Sequence, residues 1–307
     1  MKPSSVLVAG SANLDFVVRA GHVPAPGETV LGRDFATFPG GKGANQAVAA
    51  SRAGGVPVRM LLALGNDASA EPLEASLLGA GVQLHIVRIK HEATGCAFIC
   101  LADGAENAIT VAPGANMALR AEHLPPLSGI SHLLLQLESP LDTVTAYARS
   151  ARAAGVHVVL NAAPARALPA ELLAAVDVLV VNEGELAAIT GLPVSGGRAE
   201  LEAALARLDV PCVIVTLGSQ GCLARQHGEL IRLPAFPVDA LDTTAAGDTF
   251  CGVLTAALSQ RLALPEALRR ASAAAALACT RLGAQSSIPT AQEVAGLLAE
   301  EFPTIPA

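Results

Sequence analysis

The sequence contains no tryptophan and a single tyrosine, Tyr147, and aromatic residues make up 3% of its 307 positions. That scarcity argues against a ligand held by stacking on several rings, as in many single-strand nucleic-acid binders. Charge is scarce as well, at 15% of the chain against about 25% in an ordinary domain. With 52% apolar residues the balance excludes disorder and supplies enough interior to cover both faces of a sheet. Twenty basic residues face twenty-seven acidic ones, a net charge of −7 with no Lys/Arg cluster, which disfavours a nucleic-acid partner. Apolar runs break off well short of the roughly 18–20 residues a bilayer span needs. The stretch Met1-Lys2-Pro3-Ser4-Ser5 leads directly into a strand-like segment, with no signal-peptide core. Cys96, Cys100, Cys212, Cys222, Cys251 and Cys279 form no Cys-x-x-Cys, and the histidines form no His-Glu-x-x-His. A reduced, soluble, cytoplasmic protein with no membrane partner is the expectation.

What is present alternates. Val6–Gly10, Val58–Leu64, His132–Leu137, Val156–Asn161, Val176–Val181 and Cys212–Leu217 are short, nearly continuous apolar runs. This is the pattern of parallel strands covered on both sides. Between them Ala70–Ala80, Leu141–Ala154 and Gly197–Leu208 carry apolar groups three or four residues apart, as helices do. Ala245–Gln260, Leu264–Arg281 and Ala291–Glu301 extend the helical series at the C-terminal end. Strand–helix alternation predicts a three-layer α/β/α fold with a mainly parallel sheet, in one domain over residues 1–307. Two excursions, approximately 13–38 and 94–112, lack the helical period and predict antiparallel strands outside the main sheet, a small β lid. Their exposed edges could be covered by a second copy, so a homodimer through the lid is expected.

In an open α/β sheet, ligands collect beyond the carboxyl ends of the strands. Polar residues follow the predicted strands there: Asn13 and Asp15 after the first, Glu138, then Asn182 and Glu185, then Gly218 and Gly221. The strongest local feature is Asp242-Thr243-Thr244-Ala245-Ala246-Gly247-Asp248, small residues that open an apolar helix. Free amides and the helix dipole make such a terminus an anion site. A carboxylate in that turn repels a merely bound phosphate. It fits if Asp248 takes a proton from an attacking hydroxyl while the amides hold the migrating phosphoryl group. Read without its neighbours, the same Asp is equally well a helix cap. The second feature, Gly40-Gly41-Lys42-Gly43-Ala44-Asn45-Gln46, is neither a Walker P-loop nor the Rossmann glycine fingerprint. Close backbone with Lys42 and Asn45 as donors suits a polyol better than a pyrophosphate, although the motif in isolation reads more readily as a flexible turn with a helix cap.

These motifs, in this order and spacing, resemble the ribokinase-like (phosphofructokinase-B type) sugar kinases. The likeness extends through Pro26-Gly27-Glu28-Thr29, Gln136-Leu137-Glu138-Ser139-Pro140, Asn161-Ala162-Ala163-Pro164-Ala165-Arg166 and Gly283-Ala284-Gln285-Ser286-Ser287-Ile288-Pro289, and covers essentially the whole chain. The resemblance implies phosphorylation of the 5-hydroxyl of D-ribose by ATP. It implies Asn13, Asp15, Gly41, Lys42, Asn45 and Glu138 as sugar-binding residues, Asp248 as catalytic base, and Ala245, Ala246 and Gly247 as the anion hole. It further implies that Asn182 and Glu185 order Mg2+, mainly through water, and that Thr216, Gly218 and Gly221 contact the nucleotide. A monovalent cation, usually potassium, is implied at Asp242, Thr244, Ala278, Arg281, Gly283 and Ser287. Where close members often carry His beside the adenine, this chain has Ser272. A kinase for another sugar or a nucleoside, and a non-catalytic sugar sensor on the same fold, are the alternatives. A nicotinamide dehydrogenase is disfavoured by the missing glycine fingerprint.

Overall fold

In the computed structural model, which describes residues 5–104, 107–195 and 197–300, apolar strands and alanine-rich helices alternate much as the patterning predicts. In chain order the first half comprises β1 (Ser5–Ala9), β2 (Asn13–Ala20), β3 (Arg33–Gly40), α1 (Lys42–Arg52), β4 (Val58–Gly65), α2 (Ala70–Gly79), β5 (Gln83–Ile89), β6 (Cys96–Ala102), β7 (Asn107–Ala112) and β8 (Ile130–Leu135). The second half comprises α3 (Leu141–Ala153), β9 (His157–Asn161), α4 (Ala170–Leu173), β10 (Val178–Asn182), α5 (Glu183–Thr190), α6 (Arg198–Ala206), β11 (Cys212–Thr216), β12 (Cys222–Gln226), β13 (Glu229–Leu233), α7 (Ala246–Ser259), α8 (Leu264–Cys279) and α9 (Ala291–Glu300). The last predicted helix ran to residue 301, which lies outside the described residues.

Nine of these strands form one sheet in the order β13-β12-β11-β10-β9-β8-β1-β4-β5, parallel from β5 to β11 and antiparallel across β11, β12 and β13. The strict two-residue alternation of side chains sends Val6, Val8, Met60, Leu62 and Leu134 to one face, under α1, α7 and α8. Leu7, Leu61, Leu133 and Leu135 go to the other, under α3, α5 and α6. Because both faces are covered, the central strands are apolar at almost every position. The architecture is therefore three-layered, as expected. β5, β12 and β13 were not anticipated. β5 is an edge strand that exposes Gln83, His85 and Arg88 and only half-buries the rest, and the β12–β13 hairpin is short and interrupted by Arg225 and Arg232.

The two excursions form a separate sheet in the order β3-β2-β6-β7. Each is antiparallel within itself, as predicted, but β2 runs parallel to β6. The pairing is parallel because both strands leave the same end of the main sheet, β2 just after β1 and β6 after the β4–β5 layer. Loop contacts fix that departure: the Asp67 carboxylate accepts from the Thr94 N–H at 2.7 Å, and the Thr94 hydroxyl from the Gly65 N–H at 3.0 Å.

One helix contact sets the geometry of everything below. α7 packs on α1 through small residues. A Cβ on Gly252 would collide with the Gln46 carbonyl oxygen and come within 2.7 Å of the Ala49 Cβ. One turn on, Ala256 meets Gly54 in the same way. This close approach brings the first turn of α7 against the first turn of α1.

Candidate active site

Three helices start at the carboxyl end of the main sheet, and their first turns converge. α1 begins at Gly41, whose φ of 89° admits glycine far more readily than any other residue. A side chain there would also meet the backbone of Ala12 and Asn13. The turn is fastened to the loop after β1: the Ala44 N–H donates to the Ser11 carbonyl at 2.8 Å, and the Gly43 N–H to the Ser11 hydroxyl at 3.3 Å. No acidic residue lies in α1's own first turn. Glu138 takes that place from outside, one carboxylate oxygen accepting from the Lys42 N–H at 3.1 Å and from the Ser11 hydroxyl at 2.5 Å. An anion at a helix N-terminus is stabilised by the dipole. That oxygen of Glu138 is thus committed to the helix.

α5 begins with a reciprocal cap. The Asn182 side chain accepts from the Glu185 N–H, and the Glu185 carboxylate accepts from the Asn182 N–H, each at 2.8 Å. α7 has no such cap. Ala245, just before it, sits at φ 59°, an uncommon conformation for a residue with a Cβ. Within the described residues the N–H groups of Gly247 and Asp248 have no protein acceptor, and a Cβ on Gly247 would meet nothing within 4 Å. Strained backbone around unsatisfied donors in open space is the arrangement of an anion site.

The Asp248 side chain is buried yet borders a cavity of about 160 Å³ that is also lined by Lys42, Asn161, Asn182, Glu185, Thr216, Ala245, Gly247 and Cys251. Its two oxygens are held by amides from α1: Asn45 Nδ2 donates to Oδ2 and Gln46 Nε2 to Oδ1, both at 2.9 Å. The Asn45 Oδ1 is buried without a partner, an acceptor suited to a ligand hydroxyl. Burial works against the Lys42 ammonium, but Asp248, Glu138 and Glu185 outweigh it and the pKa rises. Burial also dominates at Glu185, with Asp248 adding to it, and its carboxyl is lifted.

On the lid side, Asn13 and Asp15 share one face of β2. The Asn13 Oδ1 accepts from Asn116 Nδ2 at 2.8 Å, while Asn116 Oδ1 accepts from the Ala12 N–H at 3.0 Å. Asp15 lies over Gly40, where any side chain would strike its carboxylate. Burial, then the charges of Glu138 and Asp248, raise the Asp15 carboxyl to about 7.

The other predicted residues fall around this centre. Gly218 and Gly221 flank the turn after β11. The glycine at 221 is explained by protein rather than ligand, since a Cβ would run into the Leu233 carbonyl. Ser272 is on α8 near the Cys222 thiol and is not among the residues that line the cavity. The Asp242 carboxylate joins two loops, accepting from the Thr244 and Gly283 N–H groups at 2.9 Å each. These bonds hold its pKa low against the effect of burial. Ala278 lies on α8, Ser287 is buried in the following loop, and the Arg281 side chain turns to Glu293 at 2.5 Å. At position 281 the candidate cation ligand is therefore the carbonyl and not the side chain. Among the described residues no cluster of three His, Cys, Asp or Glu could hold a metal, and no helix is long and apolar enough to cross a membrane. Ser11, Gln46, Asn116, Gln136 and Asn161 carry site contacts to which the sequence assigned no role. Their signal was a polar residue at the end of, or inside, an apolar run.

A profile for pfkB family carbohydrate kinases matches residues 3–291. The chain is similar to the ribokinase of Haemophilus influenzae, 40% identical over 94% of this chain and 96% of that one. A crystallised ribokinase from Thermotoga maritima superposes with a TM-score of 0.88 at 37% identity, covering 96% of this chain and 99% of that one. The Arabidopsis thaliana ribokinase, solved in complex with ribose and ATP, gives 0.89 at 34% identity over 97% and 99% of the two chains.

Proposed function

The chain belongs to the pfkB family of carbohydrate kinases, and on that footing we propose that it transfers the terminal phosphoryl group of ATP to the 5-hydroxyl of D-ribose. The observation that carries the reading is Asp248: a carboxylate held by two amides at a helix mouth, bordering a cavity beside unsatisfied N–H donors. Asn13, Asp15 and the unpartnered Asn45 oxygen face the sugar hydroxyls. Asp248 accepts the proton of the attacking hydroxyl as the hydroxyl oxygen bonds to the terminal phosphorus and the bond from that phosphorus to the bridging oxygen breaks, with ADP as the leaving group. Of the implied anion hole Ala245 to Gly247, the Ala246 N–H is already donated to the Thr243 carbonyl at 3.2 Å, so the free N–H groups of Gly247 and Asp248 receive charge on the migrating group, and the Lys42 ammonium in the same cavity balances it. The lid excludes water that would compete as acceptor.

The capping bonds of Asn182 and Glu185 leave one carboxylate oxygen of Glu185 for a metal-bound water. This donor set fits Mg2+, which retains most of its waters and takes phosphate oxygens. Bound there, Mg2+ would neutralise nucleotide charge in a site where Asp15, Glu138, Glu185 and Asp248 outnumber Lys42. The oxygen-rich loops joined by Asp242 fit a monovalent cation, with carbonyls of Ala278, Arg281, Gly283 and Ser287 as further candidate ligands. A cation held there would order the loop that carries the anion hole.

The decisive experiment incubates the protein with Mg-ATP and ribose, with potassium or with choline as the monovalent cation, and locates the new phosphate ester by 13C and 31P NMR. Ribose 5-phosphate, formed faster with potassium, is expected. Transfer only to another sugar or to a nucleoside overturns the ribose assignment, and ribose binding without transfer marks a sensor.

A carboxyl titrating near 7 gives a second test. The ionised Asp15 accepts two sugar hydroxyls, the protonated one fewer. Ribose affinity is therefore expected to weaken as pH falls from 8 to 6, with an apparent midpoint at about 7. Calorimetric titrations across that range should show the trend, and Asp15→Asn should flatten it.

The lid carries an exposed apolar surface. Phe16 stacks with Phe35 and Phe98 at centroid distances of 6.3 and 5.4 Å, yet Phe35 and Phe98 remain 67% and 54% exposed. This supports a homodimer built through the lid. Sedimentation should give a dimer, and Phe35→Glu combined with Phe98→Glu should give a monomer. A wild-type monomer at micromolar concentration would dismiss the assignment.

A further inference from the structure

Gln46 is a polar residue with no solvent exposure in an alanine-rich helix, a placement that persists only if every polar atom is satisfied. It is satisfied, and in only one orientation. The two hydrogens of Nε2 go to acceptors, Asp248 Oδ1 and Asn161 Oδ1, each at 2.9 Å. Its Oε1 accepts from Gln136 Nε2 at 2.7 Å. Reversing the amide would aim oxygen at two oxygens and hydrogens at a donor, so Gln136 and Asn161 reinforce the orientation that the acceptor-only carboxylate itself requires. Gln136 is confined by packing rather than by a second hydrogen bond: its Oε1 lies against Gly10, where a Cβ would collide with it, and has no partner among the described residues. Asn45, the preceding residue, reaches the other oxygen of the same carboxylate.

We propose that Gln46 is a positioning residue for phosphoryl transfer, which fixes the rotation of the Asp248 carboxylate and presents it to the substrate hydroxyl, and that Gln136 acts only through Gln46 by holding its amide in the productive orientation. Gln46 is walled off behind Asp248 and has no atom free for sugar or nucleotide, so its contribution falls on the rate and not on substrate affinity. The inference rests on the reading of Asp248 as the base.

Three variants and one spectrum test it. Gln46→Leu should lower kcat about 10- to 100-fold, the worth of one hydrogen bond to a charged acceptor, with the KM for ribose changed less than about twofold. Gln136→Leu should lower kcat by a smaller factor. The double variant should match Gln46→Leu alone, because a residue acting through another adds nothing once that partner is gone. Multiplying losses in the double variant, an unchanged kcat in Gln46→Leu, or a rise in KM that accounts for the loss would each overturn the proposal. The spectrum is independent of turnover and of any variant at 46. The side-chain amide protons of Gln46 should exchange slowly in the NMR spectrum and shift in Asp248→Ala. If they do not respond to Asp248, the contact is absent and the proposal fails even where Gln46→Leu does not fold. If the wild-type protein transfers no phosphate to ribose while the amide does respond, the substrate assignment has failed and the Gln46–Asp248 contact has not.

Discussion

Asp248→Asn is expected to slow phosphoryl transfer by about 10²–10⁴-fold, the usual share of a general base, while ribose affinity stays nearly unchanged. The expectation follows from what the side chain touches. Its carboxylate faces two donors, Asn45 Nδ2 and Gln46 Nε2. An asparagine can accept from only one of them and must turn its own NH2 toward the other, so the variant loses basicity and also loosens a buried network. Asp248→Ala separates the two effects, since it removes the base without setting donor against donor. Both variants should keep the sugar contacts of Asn13 and Asp15, and calorimetry with ribose alone reads that directly. A wild-type kcat at saturating ribose in either variant would remove Asp248 from the mechanism.

The second large effect belongs to a residue that touches no substrate. Gly252→Ala would ordinarily stabilise a helix interior by roughly 0.5–1 kcal/mol, because alanine loses less entropy on ordering. Here the added methyl runs into the Gln46 carbonyl oxygen, with the Ala49 Cβ at 2.7 Å and the Ala50 nitrogen at 2.9 Å. Overpacking of this kind costs about 1–3 kcal/mol, which exceeds the propensity gain, so a net loss in stability is expected by denaturant unfolding. Activity should fall further than stability, since α1 must move away from α7 and carry Asn45 and Gln46 off Asp248. Gly79→Ala is the control. Nothing lies within 4 Å of its added Cβ at the end of α2, and it should be neutral or slightly stabilising in the same assay. Equal behaviour of the two variants would show that the helix contact does not govern the site.

Much of the molecule is legible along the chain. The central strands read as apolar runs because each is covered twice, α2, α3 and α6 read by their period because each is covered on one face, and α7, buried from Asp248 to Ala257, read as a long alanine-rich stretch, as did α8. β5 and the β12–β13 hairpin did not read, being short or edge elements with mixed patterning. The same holds within the site. Asp248 and the small residues before it stand in a single segment, so their chemistry is visible in seven consecutive letters. The partners that orient it are not: Gln46, Gln136 and Asn161 lie on or beside three different elements, and nothing in any one of those segments points to the others. Asn116 is a similar case, a buried side chain more than a hundred residues from the Asn13 it holds.

The sequence alone determined the layered α/β architecture, the helix mouth that can hold an anion, and the acid placed in it. These are local matters of period, glycine and proximity along the chain. The tertiary structure decided that β2 runs parallel to β6, that Glu138 serves the start of α1, and that two amides grip one carboxylate. Those outcomes depend on how closely α1 and α7 pack and where the sheet ends. Contacts of that kind arise between segments, through shape and hydrogen-bond geometry, and no single segment encodes them.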